Sequence, residues 1–271
     1  MGAFSITPSA AFRMFALGRN LVIIDVRRKA VFEGARHRLP GARWRDHLDV
    51  ERWHGECRGA EAAIVYCVHG HNVSQLAVAD LRGRGVPAMA LEGGIEGWAN
   101  EGLPLVAASP HVSVSGPAPS RWVTRARPKI DRIACPWFVR RFVDAEARFL
   151  FTDPAHVLDV AGEMGAISFD IDGATFTHDG PRCTFDSLLD HFDITHEPLR
   201  FIAEIVRGAD TADAALAPEA AGLLAISLGI SARSDDDDHA ALRDGFTVYD
   251  ALYAWACLAR GETHNWPARL R

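Results

Sequence analysis

A cysteine at the end of an apolar run constrains this chain more than any other feature. The segment AIVYCVHGHNVSQ, residues 63–75, has the pattern of a buried strand that ends at Cys67, a short loop around Gly70, and a helix that follows. A thiol in this place faces free backbone N–H groups and the positive end of the helix dipole, which both favour the thiolate. We therefore expect a nucleophilic thiol whose pKa lies below the ~8.5 of a free cysteine.

The bland alternative for Cys67 is a small buried core residue, which is what free cysteines most often are. That interpretation suits the remaining cysteines, Cys57, Cys135, Cys183 and Cys257. Cys67 differs from them because its flanks match a nucleophile loop on both sides. The cysteines have no regular spacing, which predicts a reducing compartment rather than a disulfide scaffold.

Composition bounds the function classes. With 271 residues, 48% of them hydrophobic, the chain is long enough for two domains. A net charge of -6 argues against non-specific binding of nucleic acid. The longest later apolar run, 220–230, is too short for the ~20 residues that cross a bilayer, and residues 1–20 do not have the pattern of a secretory signal. We expect a cytoplasmic protein without a membrane partner.

Four segments of the first half occur in a recognisable order. They are LVIIDVR at 21–27, LPGARW at 39–44, the cysteine loop, and LEGGIEGWANEGLPL at 91–105. Together they resemble a single-domain rhodanese. The resemblance implies an α/β domain, a parallel sheet with helices on both faces, and a sulfurtransferase activity that needs no cofactor.

The resemblance also implies roles for particular residues. Cys67 would be the nucleophile that forms a persulfide, taking sulfur from a small sulfane-sulfur donor and passing it to a thiol or cyanide. Its anion cradle would consist of Val68, His69, Gly70, His71 and Asn72. Asp25 and Arg27 would be a scaffold pair after the first parallel strand of that motif, and Gly93, Gly94 and Trp98 would belong to the last turn and helix.

Loop length separates two chemistries that share this fold. A cysteine phosphatase needs Arg after five intervening residues to hold phosphate, and the residue in that place, at position 73, is Val. Many rhodaneses carry Arg in or at the end of the loop, whereas the polar members here are His69, His71 and Asn72. The histidines either supply positive charge that depends on pH or only hydrogen-bond the loop.

A Ser/Pro/Gly-rich stretch, 108–120, predicts a linker between a first domain at 1–107 and a second at 121–271. The second half contains RWVTRARPKIDRIACPWFVRRFVDAEARFLF from 121, FDIDGATFTHDGPRCTFDSLLDHF at 169–192, and FIAEIVRGAD at 201–210. These segments resemble the C-terminal domain of ChrB-type chromate-resistance proteins. The resemblance implies a role in tolerating chromate, and the residue pattern predicts a mainly helical α+β domain.

Basic residues concentrate at the start of the second half. They are Arg121, Arg125, Arg127, Lys129, Arg132, Arg140 and Arg141. Guanidinium groups match tetrahedral oxyanions, so Arg125, Arg127 and Arg132 are candidates to bind chromate or a similar anion. The alternative, that these arginines pair with acids of the same domain, stays open.

His178 and Cys183 are candidate ligands of a divalent metal, with Asp210 as a further acid. The alternative is that His178 only hydrogen-bonds its turn. Two functions therefore compete: a sulfurtransferase coupled to a chromate-resistance domain, or an oxyanion- or metal-binding sensor whose rhodanese module has little turnover.

Overall fold

A parallel sheet is the framework of the first half of the chain. The structure is a computed structural model that describes residues 4–116 and 118–262. The strands are β1 (Ser5–Ile6), β2 (Leu21–Asp25), β3 (His37–Arg38), β4 (Arg43–Trp44), β5 (Ala62–Tyr66), β6 (Ala88–Leu91) and β7 (Val106–Ala107). The sheet has the order β1-β6-β5-β2-β4 with parallel neighbours, while β3 and β7 form a separate antiparallel pair.

Helices cover both faces of this sheet. They are α1 (Pro8–Ala16), α2 (Lys29–Glu33), α3 (Val50–Trp53), α4 (Asn72–Gly83) and α5 (Gly94–Asn100). Successive residues of β5 point to opposite faces, so Ile64 packs into one hydrophobic core and Val65 into another. The first core contains residues of α1 and α5, and the second contains residues of α3 and α4. The predicted α/β class is confirmed.

The second half combines helices with a small sheet, as the sequence predicts. Its strands β8 (Arg121–Arg125), β9 (Arg148–Thr152) and β10 (Ile167–Ser168) form a parallel sheet in the order β10-β8-β9. Its helices are α6 (Ile130–Phe138), α7 (Val157–Met164), α8 (Thr184–His191), α9 (Glu197–Asp210), α10 (Ala220–Arg233) and α11 (Asp238–Leu258).

Pro136 lies inside α6, and the helix changes to a wider π-type turn directly after it, over Val139–Val143. A proline has no N–H for the ladder and its ring crowds the preceding turn, so Pro136 weakens the turn before it, whereas the π-type turn lies on its C-terminal side. Eight of the nine residues of α6 are buried. It is therefore the central helix of this half, and Asp131 in its first turn is carried into the interior.

The two halves share one hydrophobic core. Phe15 of α1 contacts Phe142 edge-on, with ring centroids 5.3 Å apart, and Tyr253 of α11 at 6.3 Å. Trp98 of α5 belongs to the same core as Trp137 of α6. The stretch predicted as a linker contributes to it, because Val112 and Val114 of that stretch are buried. The α1 and α5 side of the first sheet is thus covered by the second half.

Polar contacts also join the halves. The guanidinium of Arg141 donates to the carbonyl of Phe15 at 2.6 Å and lies 4.6 Å from the Phe15 ring centroid. The N–H of Gly41 donates to the carbonyl of Phe142 at 2.7 Å. Gly41 has φ +66, and a Cβ there would lie 3.0 Å from the carbonyl oxygen of Arg141. A glycine at this position lets the two backbones approach closely.

Within residues 4–116 and 118–262, none of the helices combines the length and the apolar character that a bilayer crossing requires.

Candidate functional site

Cys67 lies at the carboxyl end of β5, where the chain leaves the sheet to enter α4. Its side chain is 6% exposed and borders an open cavity of about 320 Å³. The cavity is lined by Arg27, Arg28, Val31, Cys67, Val68, His69, His71, Asn72 and Val73. The predicted nucleophile and four of the five predicted cradle residues, all except Gly70, therefore border one space that a small ligand can enter.

The surroundings of the Cys67 thiol favour its anion. Burial raises the pKa, but hydrogen bonds from the Ser74 hydroxyl and from the backbone N–H groups of Ser74, His71 and Gly70 outweigh it, so that the pKa falls below its ordinary value. The contrast with Cys57 is informative, because burial raises the pKa of that thiol to about 11. Ser74 is a contributor that the sequence did not single out.

Two glycines let the cysteine loop pack tightly against the turn before α5. Gly70 has φ +72, and a Cβ there would lie 2.4 Å from the carbonyl oxygen of Leu91. Gly94 has φ +58, and its Cβ would lie 2.4 Å from the carbonyl oxygens of Cys67 and Val68. Any larger residue at either position would push the loop out of place. The glycines that the resemblance placed in the last turn thus support the cradle from outside.

The first turn of α5 fixes the orientation of the cradle. The N–H of Ile95 donates to the carbonyl of Cys67 at 3.0 Å, and the N–H of Glu96 donates to the carbonyl of Val68 at 3.2 Å. The N–H of a trans peptide points opposite to its C=O, so these two bonds direct the following amides away from α5. The helix end thereby turns the carbonyl oxygens of the loop away from an incoming anion.

The loop histidines are exposed, and one of them has an acidic partner. Nδ1 of His69 lies 2.9 Å from a carboxylate oxygen of Glu96, and the rings of His69 and His71 are 6.1 Å apart. Arg28 is exposed and lines the cavity, although it belongs to the loop after β2. Arg28 borders the same cavity as Cys67 because β2 pairs with β5, and no local sequence pattern indicates that pairing.

Asp25 and Arg27 form a buried ion pair behind the cavity. Arg27 contacts both carboxylate oxygens of Asp25 at 2.5 to 3.0 Å. The Tyr66 hydroxyl also donates to Asp25, at 2.9 Å, and the indole N–H of Trp44 donates to the Arg27 carbonyl at 2.7 Å. This network ties the ends of β2, β4 and β5 together.

The three candidate oxyanion arginines do not form one site. Arg125 and Arg132 both contact Oδ2 of Asp170, at 3.3 Å and 3.1 Å. Arg127 instead lies near the start of α11, where its N–H donates to Asp238 at 2.7 Å and its side chain approaches Asp236 at 3.7 Å. These arginines therefore pair with acids of the same domain, which is the alternative to an oxyanion site.

His178 lies among three carboxylates. Its Nε2 atom is 3.2 Å from Asp170, 3.6 Å from Asp131 and 3.8 Å from Asp210. The hydrogen bond with Asp131 raises the pKa of His178 most, and the charges of Asp131, Asp170 and Asp210 raise it further. The pKa reaches about 9, although partial burial lowers it. Burial, and then the charges of Asp131 and Asp170, raise the pKa of Asp210 to about 6.

Cys183 is not a thiolate ligand in the cluster around His178. The thiol is fully buried, and its Sγ donates to Asp186 at 3.4 Å. Burial and the charge of Asp131 raise its pKa far above that of a free thiol. Among the described residues, the set of metal-ligating atoms that lie close together comes from Asp131, Asp170 and His178. The two aspartates have no local spacing that would have marked them, because separate segments bring them together.

Comparison with known families divides the chain as its sequence motifs do. The rhodanese-like domain family matches residues 13–101, and the family of the ChrB C-terminal domain matches residues 122–256. A curated relative, Protein ChrB of Cupriavidus metallidurans, is 36% identical over 134 residues, which are 49% of this chain. The match spans 40% of the length of that relative.

Solved structures similar to this chain cover 38% to 42% of it. One is a thiosulfate sulfurtransferase from Pseudomonas aeruginosa, with 23% identity, a TM-score of 0.36, and coverage of 42% of this chain and 21% of that one. Another is a rhodanese-like domain protein from Staphylococcus aureus, with 25% identity, a TM-score of 0.34, and coverage of 39% and 99%. A third, a possible tyrosine phosphatase of unknown function from Rhodopseudomonas palustris, has 23% identity, a TM-score of 0.35, and coverage of 38% and 83%.

Proposed function

Because this chain joins a rhodanese-like domain to a ChrB C-terminal domain, we propose that it is a sulfurtransferase that carries sulfane sulfur on Cys67 and acts in chromate resistance. The observation that carries the proposal is the Cys67 thiol at the border of an open cavity, with a lowered pKa and backbone amides around it. A nucleophile, an anion cradle and access for a small molecule are the parts that covalent sulfur transfer requires.

The reaction has two steps. In the first, the Cys67 thiolate attacks the sulfane sulfur of a donor such as thiosulfate. The S–S bond of the donor breaks, its electron pair leaves with sulfite, and Cys67 becomes a persulfide. In the second, cyanide or a thiolate attacks the outer sulfur, the persulfide S–S bond breaks, and the Cys67 thiolate is restored. No cofactor takes part in either step.

The cradle stabilises the anionic sulfur in both steps. Amides of Gly70, His71 and Ser74 already hydrogen-bond the sulfur atom of Cys67. The outer sulfur of the persulfide also lies within this loop. The N–H dipoles of the loop can therefore stabilise its negative charge and lower the barrier to sulfur transfer without rearranging.

The loop favours sulfur over phosphate chemistry. Val73 occupies the position where a phosphatase needs a guanidinium, and it lies in the first turn of α4. The exposed Arg28 borders the cavity from another loop and offers a positive charge to a donor such as thiosulfate. We therefore assign a small anionic sulfane-sulfur compound as donor and a thiol or cyanide as acceptor.

A second candidate function is an oxyanion or metal sensor of chromate resistance whose rhodanese module turns over little. The observation that favours it lies in the second half, where Arg125, Arg132 and His178 surround buried carboxylates beside an open cavity. Binding at this place needs no chemistry at Cys67, so the two candidates can be separated experimentally.

Intact-protein mass spectrometry after brief exposure to thiosulfate, and separately to a low-molecular-weight persulfide, tests the first candidate. We expect a gain of about 32 Da, removed by cyanide or thiol. The gain should be absent from Cys67→Ser and present in Cys257→Ser, which removes the most exposed cysteine of the described residues. No adduct from either donor, or an adduct that survives in Cys67→Ser, would contradict persulfide formation at Cys67.

A further inference from the structure

Four side chains from separate segments converge in the second half of the chain. Asp131 lies in the first turn of α6, Asp170 follows β10, His178 belongs to the loop before α8, and Asp210 is the last residue of α9. The three carboxylates lie 3.2, 3.6 and 3.8 Å from the same nitrogen, Nε2 of His178. This arrangement is independent of the cysteine loop.

Two of the carboxylates are held rigidly from behind. Oδ1 and Oδ2 of Asp131 accept from the N–H groups of Phe185 and Thr184, at 2.9 Å and 2.8 Å, at the start of α8. Oδ2 of Asp170 contacts Arg125 and Arg132. These partners orient both groups so that Asp131 Oδ2 and Asp170 Oδ1 face His178.

We propose that Asp131, Asp170, His178 and Asp210 bind one divalent metal ion. Ligands about 2.0–2.2 Å from a common ion lie about 3.0–3.5 Å from one another. The ligand atoms of Asp131, Asp170 and His178 already lie within 4.8 Å of one another, and Asp210, 3.8 Å from Nε2, would move further to complete the set. One imidazole with three carboxylates is a donor set that suits manganese, iron or zinc. Cys183 is not a member of it.

An ion pair alone accounts less well for the convergence. One imidazolium N–H can point at a single acceptor, yet three acidic oxygens surround Nε2. The guanidinium groups contact the other oxygen of Asp170, which leaves its Oδ1 directed at the cluster. Arg125 and Arg132 offset the charge of Asp170 from its other oxygen, whereas a dication at the centre would attract the oxygens of all three carboxylates toward one point.

The cluster is also accessible. His178 is 40% exposed, and with Asp170 and Arg125 it borders a cavity of about 380 Å³. An ion can enter there, and a position on the cavity side stays open for water or another small ligand. Asp131, at 1% exposure, forms the floor of the site.

Isothermal titration of the full-length, tag-free and EDTA-treated protein with Mn²⁺ and with Zn²⁺ tests the proposal. We expect about one equivalent of saturable binding, weakened at least tenfold in His178→Gln and in Asp210→Asn. Both residues reach solvent, so these variants keep the fold, which circular dichroism checks. The matched control is His239→Gln, since His239 stands beside the acidic run Asp235–Asp238 and offers a competing place for adventitious ions.

Absence of saturable binding in the wild-type protein would overturn the proposal. So would equal affinity in His178→Gln and the wild-type protein, or loss of binding in His239→Gln. Because Cys67 lies outside the cluster, sulfur transfer by the same variants is measured in parallel. The metal site and the proposed function can therefore fail separately.

Discussion

The hydroxyl oxygen of Ser74 lies 3.3 Å from the sulfur of Cys67 and 3.1 Å from the carbonyl oxygen of His71. A hydroxyl has one hydrogen to donate, and the His71 carbonyl can only accept it. While the thiol is protonated, Ser74 can donate to His71 and accept from the sulfur. After ionisation of Cys67 the hydroxyl turns to the thiolate, so Ser74 stabilises the reactive form.

Ser74→Ala is therefore expected to raise the pKa of Cys67. At neutral pH the thiolate fraction, and with it the rate of alkylation by iodoacetamide, should fall about 3- to 10-fold. The rate rises with pH through the pKa, so its midpoint, followed by mass spectrometry of the Cys67 peptide, should shift upward. Ser234→Ala, which removes a hydroxyl that donates to a helical carbonyl, is the control. An unchanged midpoint in Ser74→Ala would refute the role of the hydroxyl.

Gly94→Ala should displace the cysteine loop. The new methyl group would meet the carbonyl oxygens of Cys67 and Val68, so we expect at least a tenfold loss of sulfur transfer and about 1–3 kcal/mol of destabilisation. Gly102→Ala separates the two causes, because Gly102 has a similar φ, +67, with no atom within 4 Å of its Cβ position. Urea unfolding and transfer assays on both variants provide the measurement. Equal activity in both would mean that the close approach is unimportant.

Arg28→Ala should raise the KM for thiosulfate about 5- to 10-fold and leave the KM for an uncharged sulfane-sulfur donor unchanged. The reason is that the exposed guanidinium borders the cavity and attracts only a charged donor. The difference should shrink as salt is added, because exposed charges are screened. Arg52→Ala, a change at an exposed arginine that pairs with Asp49, is the control. A parallel rise for both donors would point to loop distortion instead.

Acid should destabilise the contact between the halves through His196. Burial lowers its pKa to about 4 from 6.5, and the ring touches Phe12 of α1, with centroids 5.5 Å apart. Its Nε2 faces the Tyr253 hydroxyl at 3.3 Å and the Cys257 thiol at 3.7 Å, and Glu197 contributes the opposing charge. The stabilising contribution of the neutral ring is complete above pH 6.5 and is lost as the pH falls to 4.

The expected loss from this residue is about 1–3 kcal/mol. Chemical denaturation at a series of pH values measures it, with His196→Gln as the comparison because the amide does not titrate. The wild-type protein should lose more stability than His196→Gln between pH 6.5 and 4. Parallel curves for the two proteins would show that His196 does not titrate in this window.

The sequence predicted the parts of the structure that depend on local pattern. The β5–Cys67–α4 unit follows from an apolar run, a loop glycine and a helical segment, and the motif order at 21–105 added the sheet around it. The long helices of the second half follow from their apolar spacing. The roles of Asp25 and Arg27 came from resemblance to a family and not from the residues themselves.

What the sequence could not predict depends on tertiary structure. Arg28 reaches the Cys67 cavity only because β2 lies next to β5. Asp131 of α6 and Asp170, which follows β10, meet His178 only through tertiary packing, and nothing in their spacing signals it. The short helix α7 was also not predicted from the sequence.

The core shared by Phe15, Phe142 and Tyr253 has an evolutionary consequence. Genes that encode independent modules can exchange one module for another, because each brings its own complete interior. Here a replacement rhodanese module would have to present a matching aromatic surface on α1. The fusion is therefore expected to be inherited as one piece, with substitutions in α1 and α11 accepted in compensating pairs.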